Sequence, residues 1–238
     1  MLEDRRMLAI ITVDTIDDVV DLNDSFTSLR EAVFATNLID GPDEIRFDLG
    51  IDGPATLVLT EGVMEVSDEL TIRGDGAELL TIDGNGTGIF QVDDEDVTTD
   101  AHLKLVGVTL TGAEDGSVVW ALLHSAEGVT LEASRIVGNF AGGGLYVNSS
   151  TGAVTILNST LAFNGSFNGP GGGAFIRTDG NVTIVASEII ENTAKHGSGV
   201  YIHSSGLINV RDSVISDNRA GGGLTIDASS VVTIEGNT

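Results

Sequence analysis

The side chains in this sequence that could do chemistry are mostly carboxylates: 36 Asp and Glu stand against 11 Lys and Arg and 4 His, and there is no Cys. Two carboxylates a few ångströms apart can cleave a glycosidic bond, one protonating the leaving oxygen while the other activates water. The sequence offers adjacent acids at Asp17–Asp18 and in the run Asp93–Asp94–Glu95–Asp96. Opposite charges lie close together at Arg177/Asp179, Arg211/Asp212 and Asp217/Arg219. They read as solvated pairs on the exterior, each contributing little to stability. His196 and His203 read as surface histidines. Without cysteine, redox and thiolate–metal chemistry are excluded.

Calcium takes oxygen ligands, and Asp83-Gly-Asn85-Gly-Thr-Gly88 is an oxygen-rich loop with Asp93, Asp94 and Asp96 close behind it. The loop has neither the twelfth-position glutamate of an EF-hand nor a Gly-Gly-x-Gly-x-Asp nonapeptide, so ordinary acidic turns are the simpler account. The expectation is no catalytic residue in this chain and no cofactor, with calcium the one ion it could hold.

The net charge of −25 is unevenly spread: residues 1–120 carry 27 acidic and 6 basic side chains, residues 121–238 carry 9 and 5. Such a field repels nucleic acid and anionic membranes. No stretch approaches the ~18 apolar residues of a membrane span. With 31 glycines, 3 prolines and 5% aromatics, the core must be built of Val, Ile, Leu and Ala between many tight turns.

The elements that would position any site are legible in a repeat. Starts at Leu103, Val129, Val154, Val182, Ile208 and Val232 follow one another at steps of 26, 25, 28, 26 and 24 residues. Aliphatic residues alternate from each start (Val129/Leu131, Val154/Ile156, Val182/Ile184, Ile208/Val210), the period of a half-buried strand. Five residues on stands Ser134, Ser159, Ser187 or Ser213, whose direction the spacing leaves open; seven on stands Ile136, Leu161, Ile189 or Ile215. Ten on stands Asn139, Asn164, Asn192 or Asn218, followed by glycines and a second alternation.

Rungs of about 25 residues stacked at ~4.8 Å turn these offsets into columns. The asparagines then form a ladder, each amide donating to the rung above and accepting from the rung below. Asparagine also tolerates the left-handed backbone of a sharp bend. Leucine-rich repeats need a leucine signature or a helix per repeat, and a propeller blade needs about 40 residues. The fold class is therefore all-β, a right-handed parallel β-helix.

Residues 51–238 read as rungs. Before them, residues 11–50 read as a cap whose helix near 28–37 places Leu29, Ala32, Val33 and Phe34 on one face, with Ser28 and Glu31 as a capping box. The last start is cut off at Thr238, which reads as truncation of a longer, monomeric chain.

Three stretches resemble known families. Met1–Leu8, MLEDRRML, resembles the LEPR-XLL motif of large planctomycete-type surface proteins, with Asp4 where the motif has proline. Residues 11–48, with SLREAV and GPDEIRF, are similar to the CSLREA domain, with Thr27 in place of the family cysteine. The rungs, with an aliphatic residue three before each Asn and then GGGL or GGAF, resemble the polymorphic outer-membrane-protein repeat and the pectate-lyase-like β-helices.

Together these resemblances imply an exported bacterial protein at the cell surface, outer membrane associated, and meeting extracellular glycans or other surface proteins. They also supply the rival, a polysaccharide lyase or hydrolase with its site mostly in rungs beyond Thr238. The aspartate pair, Gly-His-Gly and Arg-x-Lys of galacturonase-like enzymes are missing from the regular rungs, where Lys195-His196-Gly197 is only a faint likeness. The expected function is a non-catalytic surface module, adhesin-like or structural.

Overall fold

A computed structural model describes residues 8–21, 23–93, 101–121, 128–140, 142–167 and 169–238. The chain coils through three parallel sheets of nine, seven and seven strands, with a short two-stranded pair beside them. One turn runs through the strands Val154–Leu157, Thr160–Ala162 and Ala174–Thr178, which belong to the first, second and third sheets. The next turn begins at Val182–Val185, directly beneath Val154–Leu157.

Register follows the sequence starts: Leu103 pairs with Val129, Val129 with Val154, Val154 with Val182, Val182 with Ile208, and Ile208 with Val232. Side chains on alternate positions point inward, so equivalent aliphatics stack into a narrow core. Leu105, Leu131, Ile156, Ile184 and Val210 make one column, and Ile136, Leu161 and Ile189 another, all essentially inaccessible. Each such side chain contributes roughly 1.5–3 kcal/mol by leaving water.

The bends are built differently from the sequence expectation. At both of them a residue adopts left-handed backbone, but it is the one before the ladder residue. Ala133, Asn158, Ala186 and Asp212 have φ of 48–53° ahead of the serines, and Gly138, Phe163, Glu191 and Asp217 have φ of 55–71° ahead of the asparagines. The turning residue points its own side chain away, which frees the next one to aim inward and bond.

The serines do aim inward. Ser134, Ser159, Ser187 and Ser213 are buried, and the Oγ of each of the last three accepts the backbone N–H of its counterpart one turn earlier at 3.2 Å.

The N-terminal region is a lid on the first turn. The Ile10–Val13 strand extends the first sheet beside Asp43–Phe47. Asp43–Phe47 in turn pairs with Glu69–Arg73 in the same sheet. Helix α1, Leu29–Thr36, has the Ser28/Glu31 capping box in both directions and buries Leu29, Ala32, Val33 and Thr36. Phe34 departs from the expected face and is 58% exposed, because one turn of 3.6 residues carries it away from the Leu29–Val33 side.

Asp18 ties this lid down. Its carboxylate takes two bonds from the Arg30 guanidinium, at 2.7 and 2.9 Å, and two more from the N–H groups of Thr60 and Glu61. Arg30 also donates to the Gly62 carbonyl. Burial pushes the Asp18 carboxyl up, but the Arg30 bond and the two N–H groups outweigh it, leaving the pKa below the usual carboxylate range. One half of the Asp17–Asp18 pair is thereby used in structure.

Candidate functional site

Three kinds of polar feature could meet a ligand: the buried ladder, the acidic hollows, and the outward faces of the sheets. The ladder is closed. In Asn164, Oδ1 accepts both the backbone N–H and the amide of Asn139, while Nδ2 donates to Ile136 O one turn back and to Asn192 Oδ1 one turn on. Asn192 repeats the pattern with Leu161 O and Asn218 Oδ1. Asn139, Asn164 and Asn192 are buried, with every amide hydrogen-bonding group directed along the axis.

Glycine makes room for this. A Cβ on Gly173 would stand 2.6 Å from Gly199 O and 3.1 Å from the Asn192 amide, and Gly199 is confined in the same way by Gly223 O and Asn218. The ladder and the glycine column are one device, and it is structural.

The calcium candidates do not form a cage among the described residues. The Asp83 carboxylate accepts the Asn85 N–H at 2.8 Å, an Asx-type turn, and Asn85 donates its amide to Leu59 O. Asp83 also lies against Gly112, where a Cβ would be 1.9 Å from its Oδ1. Asp93 is buried after the Phe90–Val92 strand; Asp94 and Asp96 lie outside the described residues. Among the described residues no three His, Asp or Glu side chains converge as a metal site.

The sequence-adjacent charges Arg177/Asp179, Arg211/Asp212 and Asp217/Arg219 do not pair with each other either. Each pair lies at a strand end: Asp179 follows the last strand residue Thr178, and Asp212 and Asp217 take left-handed backbone just after Arg211 and Ser216. Ion pairs form across turns, as Lys104–Glu132 at 2.7 Å and His203–Asp227 at 2.9 Å do, and between alternate residues of one strand, as Arg46–Glu44 at 2.6 Å does.

A hollow of about 390 Å³ beside the first turns is lined by Asp48, Asp52 and Asp75 with Leu49, Ile51 and Leu79. Sequence reasoning missed this gathering, since Asp75 comes from the next turn. No Lys, Arg or His lines it.

The outward faces carry the rest. On the first sheet Thr130, Thr155, Thr183, Asn209 and Thr233 stand in one column of register partners. On the third sheet the column is aromatic: Trp120, Tyr146, Phe175 and Tyr201. Tyr146 and Phe175 stack at 4.9 Å and Phe175 and Tyr201 at 5.5 Å, while Trp120 meets Tyr146 edge-on at 6.5 Å. Two residues along, the column reads Asn148, Arg177, His203, Asp227. The signal was present in the sequence as one aromatic in the second alternation of four successive rungs, visible only once the rungs are aligned.

Parallel pairing in every sheet, three sheets and a repeating two-bend turn leave one assignment, and the family model for the right-handed β-helix region matches residues 80–238. The chain belongs to the right-handed β-helix family. Comparison with curated proteins and with solved structures finds no match. For this β-helix, family membership accounts for the coil and its core, and leaves the chemistry of the outer faces to be argued from the residues themselves. No helix among the described residues is long and apolar enough to cross a membrane.

Proposed function

We propose that this β-helix is a non-catalytic module of an exported bacterial surface protein, presenting its sheet faces to extracellular glycans or to other surface proteins. The observation that carries the reading is the pair of ordered outward columns, threonine on the first sheet and aromatic on the third. Both stand on strands whose backbone groups are already paired turn to turn. Rigid, evenly spaced hydroxyls and rings at ~4.8 Å suit a repeating partner. They give no group poised to take or give a proton. The resemblance of the N-terminal segment to surface-protein motifs supports export, and the −25 charge argues against nucleic acid as the partner.

One observation favours a second reading, a glycoside hydrolase: the hollow lined by Asp48, Asp52 and Asp75. The two readings separate in a glycan array combined with a polysaccharide-degradation screen, each run with and without calcium. Binding with no release of reducing or unsaturated ends is the expected result. Sugar release that Asp75→Asn abolishes would overturn the proposal in favour of the hydrolase.

A further inference from the structure

The aromatic and charged columns of the third sheet meet in one place. The strands Ala174–Thr178 and Val200–Ser204 lie side by side, with Phe175 opposite Tyr201 and Arg177 opposite His203. These four side chains form a tile about 4.8 Å across the strands and about 6.6 Å along them, close to the footprint of a single pyranose ring. Pro170 and His196, from the bends, raise its edges and make a groove of about 280 Å³.

Arg177 is the one formally charged side chain that lines this groove, and it is cationic in an acidic protein. Arg177 is exposed and has no carboxylate partner among the described residues, and two histidines flank it. The His203 ring is held through Nδ1 by Asp227, which leaves Nε2 to a ligand. The acidic excess belongs chiefly to residues 1–120, several turns away, and charges farther than a Debye length of about 8 Å are largely screened at physiological salt. An anion is thus admitted here by local charge.

Resting on the reading of this module as a glycan binder, we infer that the Phe175–Arg177–Tyr201–His203 tile is a subsite for an acidic saccharide, one ring bearing a carboxylate or sulfate. Arg177 takes the anionic group in a two-pronged bond, which a guanidinium makes better than an ammonium. The sugar ring lies across the outward edges of the stacked Phe175 and Tyr201 rings, between Arg177 and His203. A strand of acidic peptide is the poorer occupant. Peptide recognition on a sheet draws on free backbone edges, and both strands under the tile already pair on each side, with Leu145–Asn148 and Leu224–Ala228.

The test is a titration of the whole chain, by calorimetry or NMR, with four probes: a hyaluronan tetrasaccharide, its carboxyl-reduced neutral form, a sulfated chondroitin disaccharide, and hexaglutamate. Binding of one or both anionic sugars is expected. It should fall at least tenfold for the neutral form, for hexaglutamate, and in Arg177→Gln and Tyr201→Ala. Tyr201→Phe, which keeps the ring, restores binding to within about threefold and controls for misfolding. Arg177→Lys lies between wild type and Arg177→Gln. Val231→Ser, on an exposed bend outside both columns, changes nothing.

Equal binding of the neutral sugar, equal binding of hexaglutamate, or indifference to Arg177→Gln would each overturn the subsite. Neutral glycans captured elsewhere on the chain, with no anionic preference, would sink the subsite and leave the broader reading standing. Cleavage of the polymers would sink the broader reading first.

Discussion

At the scale of single residues, the ladder positions and the turning positions behave oppositely. The Asn192 side chain satisfies the Asn164 N–H, the Asn164 amide and the Leu161 carbonyl in a site closed to water. Asn192→Ala leaves these groups unpaired, and the cost is about 3 kcal/mol at the 1–3 kcal/mol typical of a buried orphan. It should appear as a lower urea midpoint with the slope unchanged. The residue before a ladder position is strained and pays no such role: Ala186 is exposed and holds φ at 51°. Left-handed backbone costs an L-residue roughly 1–2 kcal/mol, and glycine's extra freedom when unfolded returns about half of that. Ala186→Gly is therefore expected to stabilise by about 0.5 kcal/mol and to raise the melting temperature slightly. His102 provides a pH signature. Burial, aided by Lys104 and opposed by Glu69, holds its pKa below the ordinary 6.5, and its Nε2 lies 3.0 Å from Thr130 Oγ1. Because the unfolded chain takes up the proton first, this contribution to stability is complete above about pH 6.5 and is lost as pH falls through the folded value. His102→Gln should flatten the melting temperature between pH 7 and pH 5 relative to wild type.

At the scale of elements, the lid is held by one buried knot. Removing the guanidinium with Arg30→Ala leaves Asp18 charged and closed off from water, a change costing about 3–5 kcal/mol where an ion pair is truly buried. The lid has its own contacts, so the loss should appear locally: hydrogen exchange in α1 and in Ile10–Val13 accelerates, while the strands from Val129 onward keep their protection. Acid should act in the same direction. The lowered Asp18 pKa gives a stabilisation that is complete above about pH 4 and disappears as pH falls through the folded value. The regular turns were legible in the sequence because columns repeat: Val129, Ser134, Ile136 and Asn139 recur at fixed offsets, and each offset is a position around the coil. The lid helix was legible through the Ser28/Glu31 box. What stayed hidden has a common cause. The gathering of Asp48, Asp52 and Asp75 and the Arg177–His203 tile join residues from different turns, and Asp18–Arg30 joins two segments of the lid, so that tertiary contact, not local pattern, brings them together. The inward aim of the serines was undecidable for a related reason, since it depends on the left-handed residue before each one, and Ala133 or Ala186 carries no sign of that conformation.

At the scale of the molecule, two consequences follow from a fold in which each turn touches only its neighbours. The first concerns charge. With 27 acids and 6 bases in residues 1–120, one end of the coil repels itself, so raising NaCl from about 20 to 200 mM should raise the melting temperature by screening. A protein held by surface ion pairs would respond in the opposite sense. The second concerns cooperativity, because stability in a stacked array is a sum of turn and interface contributions and not a property of one core. Ile184 sits in the middle of its column, fully buried between Ile156 and Val210. Ile184→Ala removes about 2–5 kcal/mol from two interfaces at once. Ile234 occupies the equivalent place in Val232–Glu235 but is 54% exposed and contacts a turn on one side only. Hydrogen exchange read by mass spectrometry should then show Ile184→Ala lowering protection in the turns on both sides and broadening the thermal transition into two. Ile234→Ala should leave every turn before Ile208 unchanged. A uniform loss of protection along the whole chain in both variants would mean that the coil melts as a single unit, contrary to the nearest-neighbour stacking its geometry implies.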